Sequence, residues 1–201
     1  MAFRSSSLAS ASKPLIDLLV PLRDARLATL VKITLGVAFL ALLAQVRIQV
    51  GPVPITGQTL GVMLLGAGYG ATLGLTTVLA YLLAGGFGLA VFSGGAAGWA
   101  VLSGPTGGYL LAMPIAVALI GSLAARGWNR KPLHLAFALL LATLVIYTLG
   151  VAWLARFAPD LSTTLAWGVW PFLPGDALKI LLAAGALPLA RRLLAQRSKR
   201  A

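Results

Sequence analysis

Two residues near the C-terminus, Asp176 and Lys179, have side chains that could bind a polar ligand. They lie three positions apart, so on a helix they share one face. A carboxylate accepts hydrogen bonds from N–H groups, and an ammonium group donates them to carbonyl oxygens or anions. The pair therefore suits a ligand with a urea-like or amide-like edge. The alternative is a salt bridge in which the two charges only neutralise each other.

Two segments rich in glycine and proline, 52–58 and 94–109, could approach such a ligand. Pro105 can take the first position of a helix, because its missing N–H would have no partner there. Thr106 and the glycines after it then leave backbone N–H groups open at a helix start, where oxygen atoms bind readily.

Trp167 and Trp170 lie just before the sequence Pro-Phe-Leu-Pro at 171–174. They are typical of the aromatic belt of a membrane protein. They also suit an apolar lid over a small ligand. Both interpretations stay open at this stage.

Catalytic and metal-binding chemistry finds little support in the sequence. The chain has no Cys, which excludes thiol nucleophiles and thiolate metal sites. Its one His, His134, has no second His, Cys or Glu nearby to complete a metal site. We expect an interfacial His, and we expect no metal, no cofactor and no enzymatic activity.

Nucleotide binding is equally unsupported. Gly66, Gly68 and Ala71 match the dinucleotide pattern G-x-G-x-x-G/A, but that site needs a βαβ unit. Gly66, Gly70 and Gly74 better match small-xxx-small packing, which lets two helices approach closely. The ATP-binding motif G-x-x-x-x-G-K-[ST] is absent, so uphill transport would need a partner or an ion gradient.

Composition identifies the elements that carry these residues. Of 201 residues, 59% are hydrophobic and 10% are charged, with a formal net charge of +12, whereas a soluble domain is about one quarter charged. No Lys, Arg, Asp or Glu lies between Arg47 and Arg126 or in 132–155. These runs are long enough for helical spans of about 20 residues and lack the alternation of barrel strands. The sequence predicts an all-α polytopic membrane protein in a lipid bilayer, and it excludes a nucleic-acid-binding role.

Of the 16 cations, 13 fall in three groups, from Arg4 to Lys32, at 126–131 and at 191–200. By the positive-inside rule all three face the cytoplasm, so an even number of spans separates neighbouring groups. This predicts six transmembrane helices with both termini cytoplasmic; the alternative is five spans with one violation of the rule. The predicted spans are about 31–46, 58–68, 70–92, 105–125, 133–155 and 174–193. Asp176 and Lys179 then lie on the outer side.

We expect a cytoplasmic N-terminal extension at 1–30, a six-helix membrane domain at 31–195 and a basic C-terminal tail at 196–201. Ser12 and Pro14 could begin a short helix. Its leucines would share one face and lie on the inner leaflet. A disordered tail is the alternative.

Four motifs, in order along the chain, carry a resemblance to a known family. They are VPITGQTL at 53–60, GFGLAVF at 86–92, GPTGGY at 104–109 and PFLPGDALK at 171–179. In these motifs the sequence resembles the BioY family, the biotin-binding substrate-capture (S) components of energy-coupling-factor (ECF) transporters. The match runs from about 31 to 190 and leaves the first 30 residues outside.

The resemblance implies six helices and a biotin site on the outer side. It also implies a separate transmembrane T component and paired ATPases as the energy source, although some members of the family work without them. The expected location is the bacterial cytoplasmic (inner) membrane, which the chain crosses several times.

Biotin has a polar ureido end, an apolar bicycle and a carboxylate on a flexible tail. The resemblance leads us to expect a ureido clamp, in which Asp176 accepts from N–H and Lys179 donates to the C=O. The rival assignment gives Lys179 the biotin carboxylate. The rest of the expected binding set lies on the outer connections: Thr56, Gln58, Trp99, Thr106, Gly107 and Tyr109. In this set the polar side chains would satisfy the remaining oxygens, and the two aromatic rings would cover the bicycle.

Two other functions stay open from the sequence. One is an S component for a different vitamin. The other is an ion-coupled solute carrier that uses Asp176, the one serious carboxylate candidate for a titratable group in the membrane.

Overall fold

The computed structural model describes residues 14–20 and 24–197. The predicted cap Ser12 lies outside the described residues, as do five of the ten terminal cations and the end of the predicted basic tail. The helices within the described residues are α1 (Leu15–Leu19), α2 (Ala25–Gln45), α3 (Gln58–Tyr69), α4 (Ala71–Gly86), α5 (Trp99–Ser103), α6 (Gly107–Ala125), α7 (Pro132–Leu154), α8 (Leu161–Gly168) and α9 (Leu173–Arg197). A two-stranded antiparallel ribbon, β1 (Arg47–Ile48) and β2 (Ile55–Thr56), connects α2 to α3.

Helix α2 begins earlier than the predicted span at 31–46. The Asp24 carboxylate accepts hydrogen bonds from the backbone N–H groups of Arg26 (2.8 Å) and Leu27 (3.0 Å). This N-cap satisfies two of the N–H groups that a helix start leaves without partners. The helix therefore starts at Ala25, inside the segment predicted as the N-terminal extension.

Helix α4 ends at Gly86, so the prediction of one span over 70–92 was too long. The chain leaves the helix through Phe87 and then adopts a positive φ of 104° at Gly88. Only glycine takes this conformation without strain. In the sequence that follows, Leu89 and Ala90 are exposed, whereas Val91 and Phe92 are buried in the bundle.

The glycines of α3 and α4 pack against α6. A Cβ added to Gly66 would lie 2.7 Å from Cβ of Ile120, and one added to Gly74 would lie 3.0 Å from Cγ2 of Val117. The small residues of α3 and α4 do allow close packing, as predicted, but the helix that they contact is mainly α6. Helices α3 and α4 follow each other directly and meet at Gly70 (φ 80°).

Helix α6 is the centre of the bundle and packs against α3, α4 and α7. Its buried side chains include Ala112, Ala116, Val117 and Ile120. Small residues alternate with branched ones along this face, which lets neighbouring helices approach closely in a membrane protein.

Three described helices, α2, α6 and α7, are long and apolar enough to cross a membrane. The consecutive helices α8 and α9, bent by 41° at their junction, together meet the same test and would make a fourth span. Helix α4 is apolar but shorter. The protein is an all-α helical membrane protein, as predicted, with the small ribbon as an addition at one end.

The short helix α1 packs against α3. Leu15 and Ile16 are buried, whereas Leu19 is exposed. Asp17 forms an ion pair with Lys32 of α2, which is itself buried. The predicted apolar face of this segment therefore turns partly into the bundle.

Candidate functional site

A cavity of about 250 Å³ lies at the end of the bundle that carries the ribbon. Its walls come from the ribbon, the turn at 91–96 and the helices α3, α6, α7 and α9. The apolar side chains of the lining include Val53, Phe92, Leu110, Met113, Ile146 and Phe172. Its polar side chains are Arg47, Gln49, Thr56, Gln58, Thr59, Ser93, Thr106, Tyr109, Tyr147, Asp176 and Lys179. A mostly apolar pocket with a few converging polar groups is typical of a small-molecule site.

Asp176 lies in the first turn of α9 and is 3% exposed. Its Oδ1 accepts hydrogen bonds from Nζ of Lys179 (2.8 Å) and from Oγ1 of Thr59 (3.1 Å). Its Oδ2 accepts from the hydroxyl of Tyr147 (2.7 Å). A carboxylate has about four acceptor positions, two on each oxygen. Oδ2 therefore keeps room for one more donor.

The ammonium group of Lys179 has three acceptors. Besides Oδ1 of Asp176, Nζ donates to the carbonyl oxygen of Thr56 (2.8 Å) and to Oγ1 of Thr59 (2.7 Å). An ammonium group has three N–H donors, so each is in use. The pair is buried and embedded in neutral partners, rather than being a salt bridge between two surface charges.

Gln58 connects three parts of the cavity wall. Its Nε2 donates to the hydroxyl of Tyr81 (2.8 Å), and its Oε1 accepts from Oγ1 of Thr56 (3.0 Å). The Tyr81 hydroxyl donates in turn to the carbonyl of Val91 (2.9 Å). This chain of hydrogen bonds fixes the start of α3 against α4 and against the turn that carries Phe92.

Tyr109 forms part of the wall with its ring. Its hydroxyl donates to the carbonyl oxygen of Gly168 (3.0 Å), and its ring stacks on Phe172 with the centroids 6.4 Å apart. A Cβ at either Gly150 or Gly168 would collide with this side chain. The two glycines therefore hold the ring between α7 and the end of α8.

Trp99 and Gly107, which the sequence predicted to contact the ligand, do not line this cavity. Trp99 is 54% exposed and packs edge-on against Phe87, with the ring centroids 5.5 Å apart. The N–H of Gly107 is already bonded to the carbonyl of Gly104 (3.0 Å). A Cβ at Gly107 would collide with the carbonyl of Leu102, so close packing is the reason for this glycine.

Thr106 lies on the cavity wall at the N-cap position of α6. Its carbonyl accepts from the N–H groups of Tyr109 and Leu110. Neither Trp167 nor Trp170 lines the cavity: Trp167 packs near Gly51, and Trp170 is 59% exposed. The interpretation of these two residues as a lid is not supported by their positions.

Sequence reasoning missed five polar residues of the cavity, namely Arg47, Gln49, Thr59, Ser93 and Tyr147. Tyr147 and Thr59 bond directly to Asp176. Oγ of Ser93 is buried, and no hydrogen-bond partner for it occurs among the described residues. Arg47 reaches the same turn, because a Cβ at Gly94 would collide with its guanidinium group. The signal in the sequence was slight: a lone hydroxyl in an apolar helix, and a lone cation before the proline-rich connection.

The amino-acid sequence is similar to those of several biotin transporters. A sequence profile of the BioY family matches residues 13–196. The "Probable biotin transporter BioY" of Pyrococcus horikoshii is 39% identical over 161 residues, which cover 80% of this chain and 93% of that protein. The "Biotin transporter BioY2" of Lactococcus lactis is 36% identical over 165 residues, covering 80% and 88%.

A solved structure has the same fold. It is the crystal structure at 2.1 Å of the S-component for biotin from an ECF-type ABC transporter, with a TM-score of 0.76 and 28% sequence identity. The alignment covers 85% of this chain and 94% of that one. With the sequence match over nearly all described residues, this confirms the resemblance found in the motifs: the chain belongs to the BioY family of transporter S components, and not to a family of enzymes.

Proposed function

We propose that this protein captures biotin at the cavity beside the ribbon and serves as the S component of an ECF transporter. The observation that carries the proposal is the buried pair of Asp176 and Lys179, which lines a cavity that has both polar and apolar side chains. Biotin has matching parts, since its ureido group is polar, its bicycle is apolar and its tail ends in a carboxylate. The family supports the same ligand.

The ureido group belongs, in this proposal, at Asp176. Oδ2 of Asp176 has room for one donor beside Tyr147, and a ureido N–H supplies it. Lys179 acts mainly by holding the Asp176 side chain in place, because its three donors are already bonded. Lys179 can donate to the ureido C=O only if that oxygen takes the place of one of its three present acceptors, which belong to Thr56, Thr59 and Asp176.

The carboxylate belongs, in this proposal, with Arg47 and Ser93, which line the same cavity. An arginine binds a carboxylate through two parallel hydrogen bonds. The unpartnered hydroxyl of Ser93 gains a partner when the ligand enters, and this removes the penalty of a buried unsatisfied group. This assignment replaces the alternative in which Lys179 binds the carboxylate.

The bicycle lies, in this proposal, between the aromatic and aliphatic side chains. Tyr109 and Phe172 are stacked on one side, and Met113 and Ile146 complete the apolar wall. Thr106, Thr56 and Gln58 border the remaining space. Gln58 and Thr56 act chiefly on the shape of the wall, since they bond to each other.

Transport requires an energy source outside this chain. We propose a T component and paired ATPases as the partners, with the reservation that the family includes members that work without them. The proposed location is the bacterial cytoplasmic membrane, with six passes, both termini inside and the cavity open to the outside.

The direct test is mass spectrometry of small molecules that remain bound through purification in mild detergent. We expect biotin, and we expect a competition series of other vitamins to leave biotin binding unchanged. Binding of a different vitamin in its place would overturn the ligand assignment. Uptake that stops on collapse of the ion gradient, with ATP still present, would favour an ion-coupled carrier.

A further inference from the structure

A second cavity lies on the side of the bundle, away from the proposed biotin site. It is a groove of about 730 Å³ between α7 and α9, and no residue that lines it also lines the biotin cavity. Trp128, at the turn before α7, marks one end of the groove. The groove follows α7 from Leu133 to Leu140 along the surface of the protein.

The lining of the groove is almost entirely hydrocarbon. Leu133 is 80% exposed, Phe137 is 51% exposed and Leu181 is 69% exposed. In water this would be an unfavourable surface, but in a bilayer an acyl chain covers it. The groove is concave where Ala136 and Ala177 replace larger side chains, and this shape suits an extended chain better than the flat face of another helix.

The end of the groove at Trp128 is strongly basic. Arg126, Arg130 and Lys131 flank this residue within the segment 126–131, and all three are exposed. Arg191 of α9 lies close enough to Arg130 for the two charges to interact. None of the four Asp residues of the chain lies in 126–140 or in 177–197. These two segments therefore contribute no negative side chain at this end of the groove.

We propose that the α7–α9 groove binds one acyl chain of an anionic phospholipid, with the lipid phosphate at the basic segment 126–131. Basic clusters at the membrane surface attract anionic headgroups, and a tryptophan at the headgroup level is typical of a membrane interface. The ring of Trp128 packs edge-on against His134, with the centroids 5.8 Å apart. This pair forms the boundary between the hydrocarbon groove and the charged segment.

The charges argue against a second copy of this chain as the occupant. A two-fold symmetric contact through the groove would place the same surface on both sides. The segment 126–131 of one copy would then face that of the other, and the like charges would repel. An anionic lipid has the opposite charge, so the electrostatic contribution is favourable.

The test is native mass spectrometry of the delipidated full chain, titrated with dioleoyl phosphatidylglycerol or with dioleoyl phosphatidylcholine. The two lipids have the same acyl chains and differ in headgroup charge. We expect one phosphatidylglycerol to bind at about tenfold lower concentration than phosphatidylcholine, which corresponds to about 1.4 kcal/mol. If the two lipids bind equally, the bound lipid is ordinary annular lipid without selection for the headgroup, and the proposal is overturned.

Three variants separate the headgroup from the chain. Arg126→Gln with Lys131→Gln removes two charges at the groove and is expected to abolish the preference for phosphatidylglycerol. Ala136→Leu fills the groove and is expected to weaken the binding of both lipids. Arg26→Gln, on α2, is the control for a lost charge away from the groove and is expected to behave as the wild type.

Biotin binding by each variant shows that it is folded, independently of lipid. A preference for phosphatidylglycerol that survives in the Arg126/Lys131 variant would contradict the proposed headgroup site. A dimer that Ala136→Leu abolishes, without a headgroup effect, would identify a second copy as the occupant instead. A second readout uses dioleoyl lipids brominated on the acyl chain, which should quench the fluorescence of Trp128. The contribution of Trp128 is the quenching in the wild type minus the quenching in the Trp128→Phe variant.

Discussion

Tyr147 donates a 2.7 Å hydrogen bond to Oδ2 of Asp176, and so joins the middle of α7 to the first turn of α9. The other oxygen of this carboxylate, Oδ1, accepts a hydrogen bond from Oγ1 of Thr59 in α3. Three helices thus converge on one buried charge. Because each bond comes from a different helix, the position of Asp176 depends on how these helices pack, and a ligand that binds Asp176 is sensitive to all of them.

Tyr147→Phe removes this hydrogen bond without changing the shape of the ring. We expect biotin binding to weaken by about tenfold, since a hydrogen bond to a charged group contributes about 1.5–3 kcal/mol and a new ligand contact recovers part of it. Isothermal titration calorimetry checks the affinity. Tyr69→Phe is the matched control, because its hydroxyl bonds to the carbonyl of Lys32 far from the cavity. Equal losses in the two variants would rule out a specific role for Tyr147.

Asp176→Asn and Lys179→Met are expected to differ in stability from the double variant. Each single change leaves one buried partner uncompensated, which costs about 3–5 kcal/mol. The double variant removes both charges, so its thermal stability should return towards that of the wild type, whereas biotin binding should stay lost. Unfolding in detergent and biotin titration give the two readouts. Restored binding in the double variant would mean that the pair is purely structural.

Arg47→Gln tests the proposed carboxylate end of the site. We expect it to weaken biotin much more than biotin amide, which has the same bicycle but no negative charge, because only the acid forms the charge-assisted pair. Affinities for the two ligands, measured on wild type and variant, give the comparison. The proposal fails if both ligands lose affinity equally.

Ser93→Ala should leave the stability of the ligand-free protein unchanged or slightly raise it. The hydroxyl has no hydrogen-bond partner within the described part of the chain. Its removal therefore breaks no hydrogen bond and takes away a buried unsatisfied group. Biotin binding should nevertheless weaken by a few-fold. Ser103→Ala serves as control, since its hydroxyl bonds only to carbonyls within its own helix. Unchanged binding in Ser93→Ala would remove this residue from the site.

Gly150→Ala should displace the ring of Tyr109. The added Cβ would collide with that ring, and overpacking of this kind costs about 1–3 kcal/mol. We expect lower thermal stability and weaker biotin binding together. Gly185→Ala, in α9, is the control because its Cβ position is open, and it should be neutral or slightly stabilising. A stable Gly150→Ala protein with normal binding would contradict the role of Tyr109 as a wall of the site.

The start of α8 should respond to acid. The N–H of Thr163 donates to the carboxylate of Asp160 (2.7 Å), and this bond lowers the pKa of Asp160. Because the pKa of Asp160 is lower in the folded than in the unfolded state, ionised Asp160 stabilises the fold when the pH is above its unfolded-state pKa. This contribution is lost as the pH falls through the folded-state pKa. Hydrogen exchange of the α8 amides should therefore speed up, relative to the intrinsic rate, below pH about 4. Asp160→Asn keeps an acceptor that does not titrate and should show no such change.

The amino-acid sequence by itself determined the class of protein and much of the site. Long charge-free runs required a membrane, and the cost of charge near lipid singled out Asp176 and Lys179. The motifs around Thr56, Gln58 and Tyr109 led to the correct family and to residues that line the cavity. These features are local, because a run of apolar residues or a spacing of three can be read without knowing how the helices pack.

Only the tertiary structure decided which side chains meet. Lys179 bonds to Thr56 and Thr59, more than a hundred positions earlier in the chain, and Tyr147 reaches Asp176 from a helix that looked uniformly apolar. Trp99 lay in the glycine-rich segment 94–109, yet in the structure it is exposed and packs against Phe87. The physical reason is that a polar group in a membrane protein takes whichever partner the packing of the helices brings within about 3 Å, and that packing is set by glycines and small residues spread over the whole bundle.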